Sequence, residues 1–259
     1  MNRIVVITGG AGGIGEATAR HLISEGAKVV LLDHGLDRTK ATAARLGCHA
    51  DQLDVTDQGA IHEVAAKIEM DIGPVTGLVC GAAVFENPHA PEDTDPMLWQ
   101  KVMDTNLSGT FWTATAFGKR MAARRYGAIV TLGSMVGMAS SPLFAYGTSK
   151  AGIASVSASL AVAWGRSGVR VNCVSPGPTL TPALLASYER GERDPVARLR
   201  YTALGRMADP EDVANAIGFL LSDKAAAITG IELPVDCGIM AAQVWSLYNG
   251  VPEPEQDQP

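Results

Sequence analysis

Ile4-Val5-Val6-Ile7-Thr8-Gly9-Gly10-Ala11-Gly12-Gly13-Ile14-Gly15 is the stretch that decides the fold of this chain. It opens as an apolar run, breaks into glycines, and then places Ile14, Ala17, Leu22 and Ile23 at helical spacing up to Gly26. That order predicts a strand, a sharp turn and a helix in succession. Glycines let the backbone turn tightly and come close to a pyrophosphate, while the helix N-terminus supplies N–H donors and a favourable dipole. Turns also use glycine for purely structural reasons. Here the cluster sits between an apolar strand and a helix, the context that dinucleotide binding needs. Gly9, Gly13, Ile14 and Gly15 are therefore expected to hold a dinucleotide.

The same rhythm continues outward. Strands are predicted over residues 28–32, 48–53, 75–80, 128–132, 169–174 and 231–235. Helical patterns cover 38–46 and 58–71, the second stopped by Gly73-Pro74. The strands are continuous apolar runs, as in a parallel sheet covered on both faces. Strand-helix alternation of this kind predicts a single α/β domain of Rossmann type, a doubly wound parallel sheet of about seven strands with helices on both faces. The domain is expected to span residues 1–241, followed by a C-terminal extension, 242–259. A long, mixed segment at 179–207 follows a strand end and is expected to be a lid over the site. The proline- and acid-rich stretch 251–259 is expected to be held by something outside itself, such as a neighbouring subunit.

Composition narrows the class. A chain of 259 residues, 47% hydrophobic, can bury one sizeable core. Its net charge of -6 argues against nucleic acid or an anionic membrane surface as the main partner. No apolar stretch is long enough to span a bilayer. The four cysteines, Cys48, Cys80, Cys173 and Cys237, are scattered and read as buried thiols in a reducing cytoplasm. The histidines show no metal-ligand spacing, so no metal is expected. Residues 149–164 are apolar or small nearly all round, which predicts a covered helix and a homo-oligomer, tetramer or dimer.

Asp33 ends the second strand roughly twenty residues after the glycines. An acid there can accept hydrogen bonds from the adenosine ribose and repel a 2′-phosphate. His34 and Gly35 follow with no adjacent arginine, which predicts NAD over NADP. Farther along, Tyr146 and Lys150 stand one helical turn apart. A free tyrosine has a pKa of about 10 and is a poor acid or base near neutrality. A lysine ammonium one turn away favours the phenolate and lowers that value, so the tyrosine can exchange a proton with a substrate oxygen.

Taken together these motifs resemble the short-chain dehydrogenase/reductase family, from Arg3 to about Ala241. The set is TGGAGGIG, the strand-end acid, Leu53-Asp54-Val55, an asparagine in a central helix, a serine after the fifth strand, YxxxK, and PGxxxT. The resemblance implies that Asp54 and Val55 border the adenine. It implies that Asn106 holds a water in a proton relay and that Ser134 bonds the substrate oxygen. Tyr146 and Lys150 match the acid/base pair, with Lys150 also on the nicotinamide ribose. Gly81 passes the cofactor ribose, Pro176-Gly177 follow the sixth strand, and Thr181 anchors the carboxamide. The chain departs from the family where Cys80-Gly81-Ala82-Ala83 replaces Asn-Asn-Ala-Gly, removing side chains that brace the central strands, and where Asp236-Cys237-Gly238 replaces a double glycine.

The implied reaction is hydride transfer between NAD(H) and a secondary alcohol or ketone. Phe85, Met135, Val136, residues 142–144, Leu184, Leu185 and Tyr188 are expected to line an apolar pocket for an alicyclic, aromatic or aliphatic alcohol or diol. Trp245 and Tyr248 close a pocket or anchor the extension. Two alternatives stay open: an enoyl reductase, epimerase or dehalogenase on the same scaffold, and an inactive NAD-sensing protein.

Overall fold

The computed structural model describes residues 3–191, 194, 199–248 and 250–252. Seven parallel strands form one sheet: β1 (Ile4–Thr8), β2 (Lys28–Asp33), β3 (His49–Gln52), β4 (Gly77–Cys80), β5 (Gly127–Leu132), β6 (Val169–Pro176) and β7 (Glu232–Val235). Their order is β3-β2-β1-β4-β5-β6-β7. The chain winds outward from β1 in one direction and from β4 in the other. Between these two strands the connections part, and a crevice opens at the C-terminal ends.

Helices cover both faces. On one side α3 (Gln58–Asp71), α5 (Gly109–Arg124) and α7 (Phe144–Gly165) pack through Ile61, Phe117 and Leu160 onto Val6, Leu78 and Ile129. On the other, α1 (Gly13–Ser24), α2 (Leu36–Leu46) and α9 (Pro210–Leu221) pack through Leu22, Ala43 and Ile217 onto Val5, Leu31 and Val130. Alternate residues of the central strands therefore face opposite cores, which is why those strands read as unbroken apolar runs, whereas the edge strand β3 is polar and half-exposed. The shorter helices α4 (Pro96–Val102), α6 (Met135–Met138), α8 (Pro182–Glu189) and α10 (Ile239–Ala242) lie at or near the strand ends.

Local chemistry sets several helix starts. Asp57, Asp95, Ser134 and Thr181 cap α3, α4, α6 and α8 with side-chain oxygens on first-turn N–H groups. Helix α2 begins at Leu36, two residues before the expected start, with Thr39 Oγ1 donating back to Gly35 O. Between α4 and α5 the segment Met103–Ser108 is π-helical. The segment expected to be a lid is pinned at its base, where Thr179 pairs with Ala208 and Leu180 N–H donates to Ala208 O. Residues 192–193 and 195–198 of that segment, and 253–259 of the tail expected to be held in place, lie outside the described residues. No helix among the described residues is long and apolar enough to cross a membrane.

Phe117 is fully buried against the sheet. Phe117→Ala is expected to destabilise the fold by about 3–5 kcal/mol, read as an earlier transition in urea denaturation followed by circular dichroism.

Candidate active site

A cleft of about 1580 Å³ runs along the C-terminal ends of the strands. Its walls include Gly9, Gly13, Ile14, Gly15, Asp33, Asp54, Val55, Gly81, Ser134, Tyr146, Lys150, Pro176, Gly177 and Thr181. Residues separated by more than a hundred positions thus share one cavity. Asn106 is the exception among the expected site residues: it is fully buried and stands behind the wall.

The glycine turn is shaped for close approach. Gly9 adopts φ +66°, and a Cβ there would lie 2.5 Å from Gly81 O. A Cβ on Gly15 would lie 2.4 Å from Gly9 O. Gly12, at the cap position of α1, offers no side-chain acceptor. The first-turn amides of α1 therefore lack a cap at the cleft wall, as an anion cradle requires. This geometry fits the pyrophosphate of a dinucleotide.

Asp33 closes one end of the cleft. Its carboxylate is buried and accepts from Ala11 N–H at 3.3 Å. Arg38 Nη2 lies 3.3 Å and His34 Nδ1 3.1 Å from the same carboxylate. The absence of an adjacent arginine in sequence thus needs correction in space: α2 starts early enough to turn Arg38 back onto Asp33. Asp54 Oδ1 accepts from Thr56 N–H at 2.9 Å, and this bond holds its carboxyl below the usual range.

At the other end Ser134 follows β5, and its hydroxyl lies near enough to the Tyr146 phenol to favour the phenolate. Lys150 Nζ lies 5.4 Å from the Tyr146 ring centre and donates to Leu132 O at 2.7 Å. Burial dominates both groups. It pushes Tyr146 up to about 12, with the Ser134 hydroxyl opposing, and it pushes Lys150 down to about 8. The net shift on Tyr146 runs opposite to the expected depression, because desolvation of the phenolate outweighs the opposing Ser134 hydroxyl.

Asn106 has direct partners. Its Oδ1 accepts from Val84 N–H at 2.7 Å, and its Nδ2 donates to Val84 O at 3.0 Å and to Ser149 Oγ at 3.2 Å. The side chain is thus committed to bracing the loop after β4. Thr8 Oγ1 accepts from Gly81 N–H at 3.1 Å and Ala82 N–H at 3.4 Å. These two residues support the segment where the family's asparagines are missing. Asp236 likewise serves the second departure, accepting from Gly238 and Met240 N–H, each at 2.8 Å.

A family model described as enoyl-(acyl carrier protein) reductase matches residues 9–240. A solved structure from Burkholderia thailandensis, an oxidoreductase of the short chain dehydrogenase/reductase family, superposes with a TM-score of 0.88 at 35% identity, covering 96% of this chain and 98% of that one.

The chain belongs to the short-chain dehydrogenase/reductase family.

Within that family it is 37% identical over 251 residues to 2-(S)-hydroxypropyl-CoM dehydrogenase 3 of Xanthobacter autotrophicus, covering 93% of this chain and 97% of the relative. It is 36% identical over 240 residues to galactitol 2-dehydrogenase of Rhizobium johnstonii, covering 90% and 93%. A structure titled ribose-5-phosphate isomerase from Brucella melitensis superposes with a TM-score of 0.94 at 38% identity, covering 98% of both chains. Relatives named as dehydrogenases of alcohols support an oxidoreductase acting on CH–OH groups.

The expected pocket holds in part. Phe85, Met135, Val136, Leu143 and Leu184 line the cleft, whereas Pro142, Phe144, Leu185 and Tyr188 do not. Phe144 instead meets His89 edge-on, and the Tyr188 hydroxyl donates to Met207 Sδ at 3.2 Å. Polar groups unmarked by sequence motifs, among them Glu86, Asn87 and Gln100, take part in the wall.

Lys150 gives a pH test. Its value of about 8 lies below the 10.5 of an ordinary lysine, so keeping it charged costs stability below about pH 8. That cost fades as pH rises toward the unfolded value. In thermal melts of wild type and Lys150→Met at pH 7 and pH 10, wild type is expected to gain on the variant at the higher pH.

Proposed function

We propose that this protein is an NAD-dependent dehydrogenase that oxidises a secondary alcohol to a ketone, and catalyses the reverse reduction. The observation that carries the reading is the meeting of Ser134, Tyr146 and Lys150 in the cleft that also holds the glycine turn. When bound, the nicotinamide supplies the hydride acceptor or donor. Ser134 holds the substrate oxygen and stabilises charge developing on it. Tyr146 takes the hydroxyl proton in oxidation and returns it to the ketone in reduction. In the protein alone burial keeps its phenol protonated, poised as the donor; positive charge nearby must offset that burial for oxidation. Lys150, buried within reach of the ring, supplies such charge and holds the ribose. Asn106 takes part by fixing the loop that bears Val84.

Asp33 supports NAD: a buried carboxylate at the end of β2 accepts hydrogen bonds and would repel a 2′-phosphate. A second reading, use of NADP, is favoured by Arg38, whose exposed guanidinium stands beside that carboxylate. Oxidation as the working direction follows from NAD preference. The mixed wall, Phe85 and Met135 beside Asn87 and Gln100, suits an alcohol or diol with an apolar body and a further polar group. The presence of Ser134 beside Tyr146 and Lys150 in one cleft supports carbonyl chemistry over enoyl reduction, epimerisation or dehalogenation.

We further read the protein as a homo-oligomer, a tetramer or dimer. Val162 of α7 is 84% exposed, an apolar side chain on a helix that a second copy would cover. The residues 179–207 act as the lid and 242–259 as an extension, where Trp245 and Tyr248 are exposed. Four unpaired cysteines suit a reducing, cytoplasmic setting.

A panel of secondary alcohols, diols and polyols assayed for NADH production at about 340 nm tests the reaction. Tyr146→Phe is expected to lower turnover by about 10²–10⁴-fold while leaving NADH binding unchanged. Tight NADH binding without turnover on any substrate would instead favour a sensor. Asp33→Ala is expected to lower the NAD-to-NADP ratio of kcat/KM by about tenfold or more. Arg38→Ala should weaken NADP use alone.

A further inference from the structure

Three consecutive residues after β4 each reach a different part of the apparatus around Tyr146. Asn106 grips Val84 at both its N–H and its C=O, at 2.7 and 3.0 Å. The Phe85 ring stacks on the Tyr146 ring, with centres 5.3 Å apart and planes inclined at 27°. The Glu86 carboxylate accepts from the backbone N–H of Tyr146.

Helix α7 is the helix that carries both Tyr146 and Lys150. It starts at Phe144, so Tyr146 is its third residue and the Tyr146 N–H has no intrahelical partner. Helices usually answer this need with a local side chain, as Thr181 does for α8. Leu143, at the cap position of α7, makes no side-chain cap bond. The acceptor arrives from sixty residues earlier in the chain.

Glu86 is well placed for this task. It is 6% exposed, and a buried carboxylate must be satisfied. One oxygen takes the Tyr146 N–H, and the other lies 3.6 Å from His89 Nδ1. His89 is itself held, with Nε2 3.1 Å from Thr94 Oγ1 and its ring edge-on to Phe144. The positive end of the helix dipole favours the negative charge.

We propose that Glu86 is the remote cap of α7 and a positioning residue for Tyr146, fixing the start of that helix against the end of β4, where Gly81 forms the cleft wall. The proposal rests on the reading of Tyr146 as the proton-transfer group. It predicts that a small displacement of the helix start is felt in turnover more than in cofactor binding.

The test compares Glu86→Ala and Glu86→Gln in the full chain, by kinetics and by hydrogen–deuterium exchange of the Tyr146 amide. Glu86→Ala is expected to lower kcat about tenfold or more, with alcohol KM and NADH affinity nearly unchanged, and to speed exchange at Tyr146. Glu86→Gln keeps an oxygen acceptor, so it is expected to stay within about threefold of wild-type kcat with slow exchange. Wild-type kcat and slow exchange in Glu86→Ala would overturn the proposal. So would a Glu86→Gln as impaired as the alanine variant, since the cap would then not be the cause. If Glu86→Ala does not fold, Glu86→Gln decides alone: retained kcat supports the cap, and a tenfold loss overturns it. A wild type without turnover on any alcohol would sink the dehydrogenase reading, and the exchange comparison would still judge the cap.

Discussion

The structure depends on how closely two backbones pass at the ends of β1 and β4. A Cβ on Gly9 would stand 2.5 Å from Gly81 O, and one on Gly81 would stand 2.8 Å from Thr8 O. Nothing larger than hydrogen fits at either point without moving backbone. That contact sits where the strand order reverses, so the crevice that opens there is bounded by backbone on its inner side. The first turn of α1, the end of β5 and the start of α7 then gather around it. Each reaches the cleft because the strands are in register and parallel, which places all their C-terminal ends together.

Burial gives this cleft its chemical character. In water the tyrosine and lysine would titrate close together; inside the protein both neutral forms gain, with Tyr146 pushed to about 12 and Lys150 to about 8. The pair is thus sensitive to any charge brought beside it. The Leu132 carbonyl accepts from the Lys150 ammonium, and the Ser134 hydroxyl stands near the Tyr146 phenol. The desolvation that shifts these groups comes from the same sheet-end packing that sets their geometry, so acid/base behaviour and fold are not separable here.

Much of this was legible in the chain. Fully buried strands announce themselves as unbroken apolar runs, and the glycine turn is recognisable because the flanking periods change from strand to helix. The site residues that motifs mark reach the same cleft, apart from Asn106. What could not be read was the partner of each side chain. Asn106 was visible, but its commitment to Val84 depends on a π-helical turn that no local spacing reveals. Arg38 lies five residues beyond Asp33 and faces it because α2 starts two residues early. Glu86 had a faint signal. A long helix with leucine at its cap position needs an acceptor from elsewhere, yet sequence cannot say from where. The apolar pocket is smaller than expected because residues such as Tyr188, on α8, have packing partners of their own.

The wide turn at Met103–Ser108 has a consequence for the history of such a helix. A π turn amounts to one surplus residue in a helix, and it gives up regular hydrogen bonding at that point. Removing that residue would restore regular geometry and turn everything before it by about 100° relative to α5. Asn106 would then leave Val84, and the loop over Tyr146 would lose its grip. The helix would become more regular as the site fell apart. The same irregular turn that weakens the helix is the one that sets Asn106 on Val84.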